Sequence, residues 1–323
     1  LFSQFISHSF LPCKMLKGEI RPVIKNVRES NSEINNDRPV MNSSYFLKLF
    51  EYMLLPKLES SIVPHFNQFG FRKNTSCLNT ITILKETVLT YHKEKSNVHC
   101  AKIDLSKAFD KVNHNILLTK LIDKKIAPSI IRVIFYMLTN TETCVNFNGI
   151  KGQFWRVGNG VRQGGILSPL LFNLYLNEVL ENISKINVGC FLANRPVNII
   201  CYADDMILCA PSRNGLQFLI NETCKILDAN SLPLNDKSEY IIFKHRQVND
   251  INYSITIKGI IFESIKETKY LGTILSSDFK IHKDVDRSCF SFLKQFNAVF
   301  HKFSFLNRDV KAFFVQSYCM SFY

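Results

Sequence analysis

Two periods of apolar and polar residues run along this chain, and they mark two kinds of element. Helical spacing governs residues 43–60, where Phe46, Leu47, Phe50, Met53 and Leu54 recur and Ser43 or Ser44 can cap the start. It also predicts helices over 76–94, over about 106–124 with Ile116, Leu117, Leu121 and Ile122 on one face, and over 214–229. Pro128 and Pro169 open two more, to about Thr139 and Ile183, because proline suits a first helical turn. From 281 onward the pattern is helical again, with aromatics. Apolar runs predict strands at Val98 to Leu105, in two arms of 197–210, and at 239–243, 253–262 and 269–275. Residues 143–147 and 152–157 flank Asn148-Gly149 and read as a hairpin, with Trp155 in its core. Residues 26–38 are polar and Asn-rich and read as a loop. The mixture predicts an α+β fold, with helices packed on one face of an antiparallel sheet.

Composition adds a partner class. The 323 residues are 46% hydrophobic and 21% charged, which is an ordinary folded composition. Forty Lys and Arg against 27 Asp and Glu give +13, which favours a polyanion: nucleic acid first, an anionic membrane second. The ten cysteines contain no Cys-x-x-Cys pair, which argues against a zinc knuckle here and for a reducing, intracellular compartment. No apolar run reaches the length of a membrane span. The chain begins at Leu1 and stops at Tyr323 straight after a helical pattern, so a piece of a longer polypeptide is expected.

Chemistry concentrates at Tyr202-Ala203-Asp204-Asp205, an acidic pair at a tight turn between two apolar arms. Carboxylates there are costly to bury unless compensated. Asp104 ends another apolar strand. If these strands are neighbours, three hard oxygen ligands converge, which suits Mg²⁺. Two such ions about 3.5–4 Å apart clamp an in-line phosphoryl displacement. The sequence thus points to nucleotidyl transfer.

The surrounding blocks carry a resemblance. Residues 18–26 (GEIRPVIKN), Arg38-Pro39-Val40 leading into 45–58, 68–76 (QFGFRKNTS), 102–112 (KIDLSKAFDKV), 160–172 (GVRQGGILSPLLF), Tyr202 to Asp205, 234–243 (LNDKSEYIIF) and 270–275 (YLGTIL) follow one another in family order. In that order they resemble the reverse transcriptase of non-LTR, LINE-like retrotransposons, across nearly the whole chain. The resemblance implies a right-hand polymerase: N-terminal extension and fingers over 1–97, palm over 98–275 with 113–155 partly fingers, and the start of a truncated thumb over 276–323. It implies that Asp104 and Asp204 are the metal ligands, Asp205 the supporting carboxylate, and the Leu105 carbonyl a further ligand, for two Mg²⁺ ions with Mn²⁺ as a substitute. Asp110 has a matching place but is expected to cap or pair.

On the same resemblance, Phe109 is the aromatic gate that excludes a ribose 2′-hydroxyl. Gln163 and Gly164 would contact the incoming nucleotide. Arg72 and Lys73 would reach its triphosphate, and Lys237 would act as general acid for, or contact, the leaving pyrophosphate. Tyr202 would lie near the primer end. The implied partners are an RNA template, a DNA primer or target and deoxynucleotides. No membrane is implied. A flanking endonuclease and C-terminal domains are expected elsewhere in the polypeptide, with a cytoplasmic ribonucleoprotein and a nuclear stage. Two competing readings are a non-catalytic nucleic-acid-binding remnant and an RNA-templated RNA polymerase, which Phe109 disfavours.

Overall fold

The structure is a computed structural model that describes residues 2–24, 37–245 and 253–320. In chain order the elements are α1 (Phe2–His8), α2 (Cys13–Leu16), β1 (Lys17–Ile24), β2 (Asp37–Ser43), α3 (Tyr45–Glu59), α4 (Cys77–Lys93), β3 (Val98–Ile103), a 3₁₀ turn (Ala108–Lys111), α5 (His114–Asp123) and α6 (Pro128–Thr139). There follow β4 (Glu142–Phe147), β5 (Ile150–Lys151), β6 (Trp155–Arg156), α7 (Ser168–Ser184), β7 (Phe191–Leu192), β8 (Arg195–Pro196), β9 (Ile199–Tyr202), β10 (Asp205–Ala210) and α8 (Arg213–Ala229). The chain closes with β11 (Glu239–Phe243), β12 (Ser254–Ile257), β13 (Ile260–Ile265), β14 (Glu267–Tyr270), β15 (Thr273–Ser276), α9 (His282–Lys302) and α10 (Arg308–Tyr318). The loop expected at 26–38 lies mostly outside the described residues.

A six-stranded sheet in the order β12-β13-β11-β3-β10-β9 forms the centre. Its pairings are antiparallel except for β11 with β13. Alternation along the strands divides the core in two. Ala101, Ile103, Met206, Leu208, Tyr240 and Ile242 face one way, joining the inner sides of α5, α7 and α8. Cys100, Ile207, Cys209, Ile241 and Phe243 face the other way, where Ile81, Leu84 and Val88 of α4 and Tyr270 and Leu275 of β14 and β15 cover them. Helices therefore pack on both faces, not one, because β3 is buried along nearly its whole length and presents apolar side chains to both sides. Each fully buried Leu or Ile side chain contributes roughly 1.5–3 kcal/mol.

A second sheet, β2-β1-β4-β5 with β6 also on β4, joins the N-terminal strands to the hairpin region. The two strands Lys17–Ile24 and Asp37–Ser43 carry little apolar alternation and were not expected. Trp155 sits on short β6 with its ring half-exposed, so it is not hairpin core.

Three further corrections concern turns. The helix expected over 106–124 is broken. Lys107 takes φ +50°, a 3₁₀ turn follows, and Asn113 restarts a helix by accepting N–H bonds from Asn115 and Ile116. The strand expected over 253–262 is a hairpin turning at Lys258-Gly259, with φ +47° and +83°. The strand expected over 269–275 likewise turns at Leu271-Gly272.

Candidate active site

The acidic turn is the tip of the β9–β10 hairpin. Asp205 pairs with Tyr202, which leaves Ala203 and Asp204 as a two-residue turn with Ala203 at φ +56°. On the other side of β10, Met206 pairs with Ile103, the last residue of β3, so Asp104 follows the end of β3 beside the start of β10, where Asp205 lies. Past β3 the chain stays tied to the segment before β11. Asn235 N–H donates to the Asp104 carbonyl at 2.8 Å, and Ser106 N–H donates to Pro233 at 2.9 Å. These two bonds flank the Leu105–Leu234 bridge and do not consume the Leu105 carbonyl. The Asn235 carboxamide also donates to Asp104 Oδ2 at 2.9 Å, fixing that carboxylate's orientation. Tyr270 O–H donates to the Asp205 carbonyl at 3.4 Å.

The electrostatics record the convergence. Burial, then the Asp204 charge, push the Asp205 carboxyl up to about 6, with Asp104 adding to the shift and Lys102 and Arg38 opposing it. Burial also raises Asp204, again with Asp104 adding and Arg38 opposing. Among the described residues no three His, Cys, Asp or Glu side chains are gathered into a metal cage. The donor set still fits a hard cation, because it is all oxygen and its own repulsion is only partly compensated by Lys102 and Arg38.

A pH prediction follows for the metal-free protein. Because folding raises the Asp205 pKa above its usual value, the folded chain takes up this proton first, between about pH 4 and 6. The ionised group is therefore a cost above that window. Allowing for partial exposure, Asp205→Asn should stabilise the metal-free protein by about 1 kcal/mol at pH 7. The gap should shrink as pH falls below 6 and close near pH 4, where the unfolded chain also takes up the proton; thermal melts of both proteins at pH 7 and pH 4 measure it, and a constant gap would contradict the assignment.

Phe109 lies five residues after Asp104, half-buried in the 3₁₀ turn. Its ring stacks on buried Phe172 at 4.4 Å and meets exposed Phe71 edge-on at 5.9 Å. Gln163 is brought to the same turn: its carboxamide donates to Asp110 Oδ1 at 3.3 Å, and its carbonyl accepts Met41 N–H at 2.8 Å. Val161 N–H donates to the Phe109 carbonyl at 2.9 Å, so the loop before α7 is clipped to the gate. Gly164 has φ +109°, and a Cβ there would come within 2.8 Å of the Met41 carbonyl, so only glycine fits. Arg162 is buried in an ion pair with Glu51 of α3, whose second oxygen accepts Ile166 N–H at 2.7 Å.

The remaining candidates are more peripheral. Lys237 is exposed in the turn between Asn235 and Ser238. Arg72 is exposed, and Lys73 pairs with Glu59 at 2.7 Å. Tyr202 is half-buried with its hydroxyl against the Cys77 thiol, which pushes its pKa up. The expectation missed Arg38, Lys102, Asn235, Glu51 and Gln68. All five lie in the quoted blocks, and that block membership was the available signal.

The family model described as reverse transcriptase (RNA-dependent DNA polymerase) matches residues 25–275. The chain belongs to this family. Reverse transcriptases generally use divalent metals and act on a nucleic-acid template and primer, in keeping with the acidic site. The chain is 29% identical over 198 residues to the retrovirus-related Pol polyprotein of the type-2 retrotransposable element R2DM of Drosophila melanogaster, covering 61% of this chain and 19% of that protein. It is 27% identical over 290 residues to the corresponding polyprotein of the type-1 element R2 of Nasonia vitripennis, covering 86% and 28%. The RNA-directed DNA polymerase of the mobile element jockey of Drosophila funebris is 22% identical over 88% of this chain and 31% of its own length. The chain thus spans under a third of each of these three relatives. In fold it resembles apo telomerase of Candida tropicalis, at TM-score 0.57 and 14% identity, over 87% of this chain and 52% of that one. No described helix is long and apolar enough to cross a membrane.

Proposed function

We propose that this chain is the polymerase portion of a non-LTR retrotransposon protein and copies RNA into DNA by adding deoxynucleotides to a primer 3′-hydroxyl. The observation that carries the reading is the placement of Asp104 just past the end of β3 and Asp205 at the start of the neighbouring β10, with Asp204 at the hairpin tip and their charges acting on one another. Asp104, Asp204 and Asp205, with the Leu105 carbonyl, would hold two Mg²⁺ ions, Mn²⁺ being the alternative. Bound there, the ions supply nucleophile activation and charge neutralisation at the leaving group. Asn235 orients Asp104 for that task, and Arg38 and Lys102 moderate the repulsion among the carboxylates.

Phe109, backed by Phe172, presents its ring where a ribose 2′-hydroxyl would otherwise fit. Gln163 and Gly164 form the adjoining wall toward the nucleotide base. Arg72, Lys73 and Lys237 are placed by this reading at the triphosphate, and Lys73 would have to leave Glu59 to reach it. Tyr202 would border the primer end. The palm then runs over 98–275 and the thumb begins at 276. Template RNA, target DNA, an endonuclease and C-terminal domains in the remainder of the protein, and a ribonucleoprotein passing from cytoplasm to nucleus complete the proposal.

Primer extension on an RNA template tests it. The chain should incorporate deoxynucleotides far better than ribonucleotides. Phe109→Ala should shift that ratio toward ribonucleotides by roughly 10–100-fold, the scale of a single steric contact in a pocket. An unchanged ratio would refute the gate, and a wild-type preference for ribonucleotides would refute the RNA-to-DNA direction.

A further inference from the structure

We propose that Gln68 is a positioning residue for the Asp204–Asp205 turn, its buried carboxamide holding Ala203 in the left-handed conformation that aims the two carboxylates. The consequence for metal binding rests on the reading above; the hold on the turn does not.

Ala203 occupies φ +56°, a left-handed region where the Cβ of an L-residue crowds the backbone and which persists only where the surroundings impose it. The imposing group is Gln68, which has no exposed surface. Its Oε1 accepts the Ala203 N–H at 2.9 Å, and its Nε2 donates to the Ala203 carbonyl at 3.1 Å. One planar amide thus grips both polar groups of the strained residue. The same Oε1 accepts the Gly70 N–H at 2.8 Å, which fixes the carboxamide itself. The backbone completes the attachment: Phe69 N–H donates to the Cys201 carbonyl and Cys201 N–H to the Asn67 carbonyl, both at 2.9 Å. Gly70 lies so close that a Cβ there would stand 2.1 Å from the Ala203 nitrogen. Asn173 of α7 holds the Gly70 carbonyl at 3.0 Å.

A buried glutamine satisfied by backbone is common in protein cores. This one differs in where its bonds go: two of the three fall on the single residue that separates Tyr202 from the acidic pair. The chemistry also demands an amide. Only a group with a donor and an acceptor on one plane can serve an N–H and a C=O together. Glutamate of the same shape, at a pH high enough to ionise it, keeps the acceptor, loses the donor, and sets its second oxygen against the Ala203 carbonyl. Gln68→Glu is therefore the informative substitution, since it opens no cavity.

The experiment uses the full chain with Gln68→Glu, Gln68→Ala and Ala203→Gly, and reads two signals. Amide hydrogen exchange of the 201–205 segment reports the turn. Mn²⁺ binding, followed by the loss of the free-ion resonance signal, reports the carboxylates, with Asp204→Ala as its control. Gln68→Glu should speed exchange at Ala203 tenfold or more and weaken Mn²⁺ about tenfold, the effect of losing a group that orients a ligand. Ala203→Gly should be nearly silent alone yet recover part of the Mn²⁺ affinity lost in Gln68→Ala, because glycine reaches the same φ unaided. Leu84→Ala, a core change beneath the same sheet, should lower the melting temperature without weakening Mn²⁺. Unchanged exchange at Ala203 in Gln68→Glu would overturn the proposal, as would strictly additive effects of Gln68→Ala and Ala203→Gly. Mn²⁺ binding that survives Asp204→Ala would instead overturn the metal reading, and the exchange arm would still decide the role of Gln68.

Discussion

Asp204→Ala should reduce primer extension by on the order of 10³-fold or more, while the protein should fold and bind RNA–DNA duplex as before. The size follows from what the residue supplies. A single preorganised donor to a transition state is worth about 10²–10³-fold, and a carboxylate that would hold the catalytic cation should carry at least as much. Folding should not suffer, because burial and the Asp104 charge make the ionised Asp204 a cost to the metal-free protein. The contrast is Asp110, six residues after Asp104. It is in hydrogen-bond contact with Gln163 at 3.3 Å and its backbone packs against Gly160, so it braces the nucleotide-side loop. Asp110→Asn keeps an acceptor for Gln163 and should leave extension within about tenfold of wild type, the lower end for a supporting residue. Single-turnover extension with both variants measures the difference. Residual activity in Asp204→Ala comparable to that of Asp110→Asn would sink the assignment of ligands.

Much of this was legible along the chain, and the parts that were share a physical cause. The helix over Pro128–Thr139 begins where a proline supplies its own start, and Cys77–Lys93 begins at Ser76, whose capping box with Asn79 is local. The hairpin carrying Asp204 was legible because its two arms are apolar throughout while its tip is acidic. What failed was also local, but weaker. Lys258-Gly259 and Leu271-Gly272 are turn signals inside runs whose apolar character outweighed them. Asn113 is a helix cap hidden within a continuous helical periodicity.

A different class was beyond the reach of periodicity. Gln68 meets Ala203 across 135 positions, Asn235 meets Asp104 across 131, and Arg162 meets Glu51 across 111. A polar residue on a helix reads as solvent-facing until its partner is known. Glu51 interrupts the apolar face of α3 between Phe50 and Leu54, and nothing nearby in sequence says it is buried. The block resemblance put the candidate carboxylates on strands that the fold makes neighbours, but only the fold shows which polar groups surround them.

Glu51 therefore yields the largest expected loss of stability. Glu51→Ala should cost about 3–5 kcal/mol, the range for removing one partner of a buried ion pair. Glu51 is 1% exposed and Arg162 10%, so the guanidinium left behind cannot regain water without the loop moving. Arg162 Nη1 already has no partner among the described residues, which leaves little slack for accommodating a lost charge. The second carboxylate oxygen goes too, and with it the bond that holds Ile166 N–H at the entry to α7. Gln163 and Gly164 lie between these two anchors, so the wall beside Phe109 should loosen along with the fold. Extension in Glu51→Ala should accordingly show a raised KM for deoxynucleotides even at temperatures where the protein remains folded. Replacing both residues, as Glu51→Leu with Arg162→Met, removes the orphaned charge and should recover most of the stability, since an apolar pair of similar volume replaces a buried ion pair at little cost. It should not recover the KM, because Ile166 still lacks its acceptor. Denaturant melts and nucleotide titrations of the single and double variants separate these terms, and full recovery of both by the double variant would show that Glu51 serves only to neutralise the arginine.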